Sequence, residues 1–581
     1  MITNSLSNSD RDPTSTAIAL ERWAKQRTDC APLARALGQA AAAEAQGHAC
    51  AMLDAREFEA VRAHPWVGNG AALTPAVLTE HGEFYLWRNW QHEAQIAAAL
   101  RARMSAGRAA PSAADQADLA RLFVNVETLK GQLQRAAVAG VVGQRLFVLS
   151  GGPGTGKTTT VLRMLLLLQR IAQRTTGMLA IALAAPTGKA AQRLSQSLRD
   201  GASAMRFALG LAGGTAQQSA SEQQDLADWE SALASLPESA STLHRLLGAR
   251  PQDDQFSHDA NSPLPFDLVV VDEASMVDLA LMRALLDALR PTARLILIGD
   301  PDQLVSVSAG SVLADIVAAA ENGPLRHQHV RLRHVWRTQG RLAEVYEAVR
   351  LGNAQLLQVL LAAELGATLH SVADRVALGR RLRVWLARPE WAQLDIVTQA
   401  DANPMQAFAA LRALQLLTAL RGGYFGAQDI NAWLDLQRRS RFGEASWYPG
   451  RPVMIRHNDY SRRLFNGDIG LTLRCGDQLR VCFESTTANG QIEYRYLLPR
   501  EIPEHDVAYA LTIHKSQGSE YGHVAVLLPP DADHRILSRQ LLYTGVSRAK
   551  RSLEIWSSAA SLATALASLS VRNGGLRRRL A

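Results

Sequence analysis

Residues 146–160 read "LFVLSGGPGTGKTTT". An apolar run of strand length leads into a glycine-rich turn, a lysine and threonines, and then a helical pattern. Gly151 to Thr158 satisfy G-x-x-x-x-G-K-[ST]. At that spacing, glycines let backbone N–H groups curl around phosphate oxygens, and the following helix adds its positive end. Gly151, Gly152, Pro153, Gly154, Thr155, Gly156, Lys157, Thr158 and Thr159 are therefore candidates to hold a nucleoside triphosphate, ATP. Lys157 is expected to reach the β- and γ-phosphates and Thr158 to offer its hydroxyl to Mg²⁺. A bland glycine turn is the alternative, and the flanking strand and helix weigh against it.

Working outward, further apolar runs alternate with longer helical patterns: "LAIALAAP" (179–186), "LVVVDEAS" (268–275) and "LILIGD" (295–300). That rhythm predicts an α/β fold with parallel strands and crossover helices. Ligands of such sheets bind at the carboxyl ends of the strands. Asp272 and Glu273 stand at one such end, the first expected to hold Mg²⁺ and the second to take the proton of an attacking water. Asp300 and Gln303 follow the next strand, where Gln303 can bond a γ-phosphate or its water. Taken alone, Asp-Pro-Asp there is only a turn.

A second alternating region after Val330 predicts strands at "LDIVTQ" (394–399), "VAVLLP" (524–529) and "LEIW" (553–556). Between 449 and 504 the pattern changes to successive short antiparallel strands. Residues 1–110 are Ala-rich and read as helical, with an extended stretch at "EFYLWRNW" (83–90). The segment 107–120 reads as a linker, 212–241 as a surface excursion, and the tail "RNGGLRRRLA" as a solvated terminus.

The 581 residues are 47% hydrophobic and 20% charged, ordinary for globular chains, and the net charge of +8 favours a polyanionic partner without requiring one. Four scattered cysteines and no C-x-x-C suit a reducing compartment and argue against a zinc module. The polar N-terminus lacks an export signal and no run spans a bilayer, so a soluble cytoplasmic chain is expected.

The ordered set "GGPGTGKTTT", "LAAPTGKAAQRL", "STLHRLLG", "VVVDEASMVD", "IGDPDQLVSVSAG", "LTIHKSQGSE" and "LLYTGVSRAK" resembles superfamily 1 DNA helicases. "LQLLTALRGGYFGAQDIN" and "NDYSRRLFNGDIG" narrow it to the RecD family, the α subunits of exodeoxyribonuclease V. The resemblance implies two RecA-like P-loop NTPase domains, at 111–335 (with a small insertion about 200–262) and at 336–448 plus 505–581. It also implies an N-terminal helical, partner-docking domain at 1–110 and an SH3-like β subdomain inserted at 449–504. RecB and RecC are the implied partners, single strands and double-strand ends the implied DNA, and 5′-to-3′ the implied direction. Gln134, with Gln132 as rival, matches the glutamine that reads adenine. Pro186, Thr187, Gly188, Thr242 and His244 match DNA contacts on the first domain. Thr512, His514, Lys515 and Ser516 match those on the second. Gln517 and Gly518 shape that loop, and Glu520 reaches toward the nucleotide. Arg548 and Arg337 match the two arginines that cross the cleft to the γ-phosphate, with Arg331 and Arg333 close to the latter.

"LTIHKSQGSEY" (511–521) is not read as a nucleophile with its base, since adjacent residues point different ways. Its cationic and hydroxyl donors suit phosphate oxygens. Three rivals are disfavoured: an RNA-directed helicase, a conjugative relaxase lacking its nicking domain, and a subunit that binds DNA without hydrolysis. A standalone RecD-like helicase is the nearest alternative, although such proteins carry a longer N-terminal region than is expected here.

Overall fold

Strands buried on both faces must be apolar throughout, and helices must cover them. The computed structural model describes the chain except residues 1–12, 105–109, 125–128, 212–218, 251–254, 335–340, 400, 460 and 488–491. Two parallel sheets organise it. The first runs, in spatial order, His329–Leu332, Leu146–Gly151, Arg294–Gly299, Leu268–Val271, Ile181–Ala185 and Ser241–Thr242. The second runs Ala367–Ser371, Ala549–Ser557, Tyr521–Leu527, Leu414–Thr418 and Ala510–Thr512. All pairings within both are parallel. The expected pair of α/β domains is thus present.

Four sequence expectations are corrected. Residues 394–399 are not a strand: Pro389–Thr398 is a helix, started by Pro389 and burying Trp391, Leu394 and Thr398 along one face. The strand in this region is instead the fully buried Leu414–Thr418, which lies between Tyr521–Leu527 and Ala510–Thr512. The N-terminal residues are not purely helical, because Ala51–Met52, Glu83–Leu86, Ala76–Leu78 and Val67–Gly68 form a four-stranded sheet. Only Glu83–Leu86 of "EFYLWRNW" is extended, and the helix Trp87–Met104 begins at once. The stretch 212–241 is more than an excursion. Its helix Ala220–Ala234 fully buries Trp229 under the Arg170 guanidinium, 4.9 Å from the ring centre.

The fourth correction concerns the tail. Leu576–Leu580 is a helix whose two leucines are wholly buried. They join one core with Tyr85, Ile96 and Leu100 of the N-terminal unit and Val148, Leu297 and Ile316 of the first α/β domain. Before it, the Arg572 guanidinium donates to the carbonyls of Ser308 and Gly310 at 2.6 and 2.9 Å and also to that of Ser306. Asn573 N–H donates to His48 and its carbonyl accepts from Ala49 N–H. Gly575 N–H donates to the buried carboxyl of Glu93, which burial pushes up to about 7. The C-terminal segment therefore leaves the second domain and straps the N-terminal unit onto the first.

The β insert contains Pro452–Ile455, Ile469–Cys475, Gln478–Thr486 and Ile492–Leu497, and His505–Val507 joins its far edge just past the expected boundary. Every pairing is antiparallel. Among the described residues the ladder is open, since the edge strands Ile492–Leu497 and His505–Val507 do not pair. No described helix is long and apolar enough to cross a membrane.

Leu576→Ala should open a cavity in the shared core and weaken it by about 3 kcal/mol. The exposed Val571→Ser should stay within about 0.5 kcal/mol. Hydrogen exchange along Trp87–Met104 and Val312–Asn322 checks this. Unchanged protection in Leu576→Ala would mean that the strap does not hold these helices.

Candidate nucleotide and DNA site

The phosphate loop owes its shape to glycine where no other residue fits. Gly154 and Gly156 have φ of 75° and 83°, left-handed values that strain any side chain. A Cβ on Gly152 would stand 2.7 Å from the Tyr543 hydroxyl of the second domain, so closeness of the two domains itself demands glycine there. Lys157 begins the helix Lys157–Thr175, and its Nζ donates to the Gly151 and Gly152 carbonyls at 2.7 and 3.0 Å. Thr155 Oγ1 donates to the Gly152 carbonyl. Gln134 is buried behind the loop; its amide donates to the Thr155 carbonyl at 3.4 Å, and its oxygen accepts from Arg163. Gln132 is exposed.

The loop lines an open pocket together with Arg193, Asp272, Glu273, Gln303, Glu520 and Arg548. Glu273 sits at φ 51°, an unusual value for a residue with a side chain, two residues past the end of the strand Leu268–Val271. Such strain is found where a fold holds a functional side chain in place. Asp272 accepts from Glu273 N–H at 2.9 Å. Burial first, then the neighbouring Glu273 carboxylate, pushes the Asp272 carboxyl above its usual range, while Lys157 acts the other way. Burial likewise raises Asp300, opposed by Lys157. Thr158 and Asp272 both face this pocket, and a hydroxyl beside a carboxylate is an oxygen donor pair that suits Mg²⁺.

Opposite stands the second domain, joined by a buried circuit. Arg548 Nη2 donates to Gln303 Oε1 at 2.9 Å, and Gln303 Nε2 donates to Asp300 at 3.1 Å. The same Asp300 oxygen accepts from the Tyr543 hydroxyl at 3.0 Å. Arg548 is anchored by donating to the carbonyls of Thr544 and Ser519. Next to Gln303, Leu304 N–H donates to Thr544 Oγ1, and its carbonyl accepts from Gln517. Glu520 pairs with Arg193 of the first domain and with Lys550, 3.1 Å away. Gly518, at φ 71°, brings its turn against Ala190.

The strand-contact candidates divide by accessibility. Thr187 caps the helix Gly188–Ala208, which leaves Gly188 exposed and Pro186 half-buried at the strand end. Thr242 caps Leu243–Leu246, and His244 is exposed near Phe256. On the second domain Thr512 accepts from Lys515 N–H. The Lys515 side chain is 37% exposed and 3.9 Å from Asp506; its partial burial, with the cations Arg421 and Arg456, lowers its pKa against the pull of Asp506. Burial, with Arg572 near, lowers that of His514. Ser516 is fully buried, and its hydroxyl donates to the Ile513 carbonyl, so it shapes the turn instead of facing solvent. Arg337 lies outside the described residues, while Arg331 is half-buried and pairs with Asp302.

Sequence reasoning missed Arg193, Tyr543 and Thr544. The first lay inside the quoted "LAAPTGKAAQRL" and the others inside "LLYTGVSRAK", but nothing in one-dimensional spacing shows which of these side chains crosses a cleft.

A family model described as an AAA domain matches residues 134–309, and one described as a UvrD-like helicase C-terminal domain matches 507–555. The chain is 37% identical over 533 residues to the RecBCD enzyme subunit RecD of Mycobacterium tuberculosis, covering 90% of this chain and 84% of that one. It is 31% identical to the ATP-dependent RecD2 DNA helicase of Deinococcus radiodurans, covering 82% of this chain and 55% of that protein. A crystal structure of Bacteroides Pif1 bound to ssDNA aligns with a TM-score of 0.36 at 15% identity, covering 74% of this chain and 93% of that one. The nucleotide loop, the second domain facing it and 37% identity over an alignment spanning nine-tenths of the chain are features of one lineage, and the chain belongs to the RecD family of superfamily 1 DNA helicases.

Proposed function

We propose that the chain is the RecD subunit of a cytoplasmic RecBCD-type helicase–nuclease, assembling with RecB and RecC. In this reading it is an ATP-dependent helicase that moves 5′ to 3′ and unwinds DNA from double-strand ends for recombinational repair and degradation of linear DNA. The observation that carries the coupling of ATP to motion is the 2.9 Å bond from Arg548 to Gln303 across the cleft. Hydrolysis chemistry and the separation of the two sheets act on the same side chains.

In this reading Lys157 binds the β- and γ-phosphates, and Thr158 and Asp272 hold Mg²⁺ beside them. The ion supplies charge neutralisation on the phosphate oxygens. Glu273 accepts the proton of the attacking water, and Gln303 orients that water or the γ-phosphate. Arg548, and Arg337 by resemblance, stabilise the charge of the transferring phosphoryl group with a fixed donor fork. Gln134 reads adenine, and Glu520 acts at the nucleotide from the second domain. Pro186, Thr187, Gly188, Thr242 and His244 on one domain, with Thr512, His514 and Lys515 on the other, grip the strand backbone. Ser516 supports that grip from within its turn. The domain bounds follow the sequence reading, with 1–110 as the docking unit for RecC; the SH3-like character of the insert rests on resemblance alone.

A standalone RecD2-like helicase is the second reading, favoured by the match to the Deinococcus radiodurans protein. The higher identity to the Mycobacterium tuberculosis RecD, 37% over 90% of this chain against 31% over 82%, supports the subunit reading.

Lys157→Ala should lose DNA-stimulated ATP hydrolysis and strand displacement while keeping a native circular-dichroism spectrum. Wild-type protein should open duplexes with a 5′ single-stranded tail and not those with a 3′ tail. Normal turnover by folded Lys157→Ala would remove the phosphate-site assignment. Equal opening of both substrates would remove the direction.

A tagged chain purified from its own cells should bring down two large partners, a second helicase with nuclease activity and a third subunit. Recovery of the tagged chain alone, with full unwinding activity, would favour the standalone reading.

A further inference from the structure

Arg193 lies on the helix Gly188–Ala208 of the first domain and opens onto the same pocket as the phosphate loop. Its Nη2 is paired with the Glu520 carboxylate of the second domain. Glu520 is itself held by Lys550 at 3.1 Å, and its side chain is 8% exposed. Partial burial acts to lower the Arg193 pKa, and the Glu520, Glu273 and Asp272 carboxylates together raise it. The pocket lining therefore places three acidic groups around the Arg193 guanidinium.

A triphosphate entering between acidic groups is repelled unless fixed cations offset them. Lys157 and Arg548 supply two. A cross-domain ion pair serving only as a latch would contribute little, because desolvation offsets much of its attraction. A guanidinium carries five donors in a planar fork, so one edge can bind a carboxylate while the other takes phosphate oxygens.

We propose that Arg193 is a further nucleotide-binding residue, contacting the terminal phosphate from the first domain, and that Glu520 of the second domain is the positioning residue that aims it. This rests on the nucleotide-site reading above. The arrangement differs from an arginine reaching across the cleft: here the second domain contributes a carboxylate, and the arginine it orients belongs to the first. Opening the cleft withdraws Glu520 and leaves Arg193 without its aim. The terminal phosphate is therefore recognised fully only when the domains are together.

The test compares calorimetric affinities for ADP and for a non-hydrolysable ATP analogue, both with Mg²⁺. Arg193→Gln should weaken the analogue by about tenfold or more while ADP changes little. Glu520→Gln should show the same selective loss in smaller measure. The double variant should be no weaker than Arg193→Gln, because one contact is being removed twice. Arg193→Lys, which keeps the charge and the pairing with Glu520 but loses the fork, should show a partial selective loss and serves if Arg193→Gln does not fold. Equal weakening of ADP and analogue, no change in either, or additive losses in the double variant would overturn the proposal. Lys157→Ala separates the two readings. If it loses both nucleotides, the site stands whatever Arg193 does; if it keeps both, the site and this proposal fall together.

Discussion

The bond from Arg548 to Gln303 is the constraint from which the rest of the molecule takes its meaning. Both side chains are almost fully buried, one from each ATPase domain, and Gln303 passes the connection to Asp300. Tyr543 closes the circuit by donating to the same Asp300 carboxylate. A buried polar network is stable only when its members are satisfied, and inside a protein each lost partner leaves an expensive orphan. Small displacements of one domain therefore cannot be absorbed bond by bond. The two domains either share the network or lose it, which gives a helicase cleft distinct arrangements instead of a continuum.

The loop 300–310 is held from several sides. Asp300 and Gln303 bind the second domain at one end, and Leu304 is gripped there by Thr544 and Gln517. At the other end Arg572 collects the carbonyls of Ser306, Ser308 and Gly310. Gly310 N–H also donates to the Gly47 carbonyl of the N-terminal unit. One segment thus meets the nucleotide pocket, the second domain, the C-terminal strap and the N-terminal unit. Burial lowers the His514 pKa and the nearby Arg572 adds to it, so the strap passes beside the turn proposed to meet DNA. The nucleotide pocket, the turn proposed to meet DNA and the N-terminal unit are thus connected through packed side chains.

The sequence was legible where chemistry imposes spacing. Gly154 and Gly156 announce a phosphate loop because only glycine tolerates their backbone. Leu268–Val271 and Arg294–Gly299 read as buried parallel strands because both faces are covered. Legibility failed where partners are distant. Leu576 and Leu580 stand four residues apart and share a helical face, but the arginines between them suggested a solvated end. Residues 394–399 look like a strand until Pro389 and the helical spacing of Trp391, Leu394 and Thr398 are weighed together. Arg193 was invisible for a different reason: its role depends on Glu520, more than three hundred residues away, and no local pattern encodes that meeting.

The central claim is that the buried circuit makes ATP and DNA bind the same closed arrangement. Binding free energies must then couple reciprocally. The most direct measurement is single-strand affinity with and without a saturating non-hydrolysable ATP analogue, in wild type, Gln303→Ala, Arg548→Ala and the double variant. The account predicts tighter DNA binding with the analogue in wild type. It predicts that each single variant loses most of that gain, and that the double loses no more than either. An undiminished gain in Gln303→Ala, with nucleotide still bound, would contradict it.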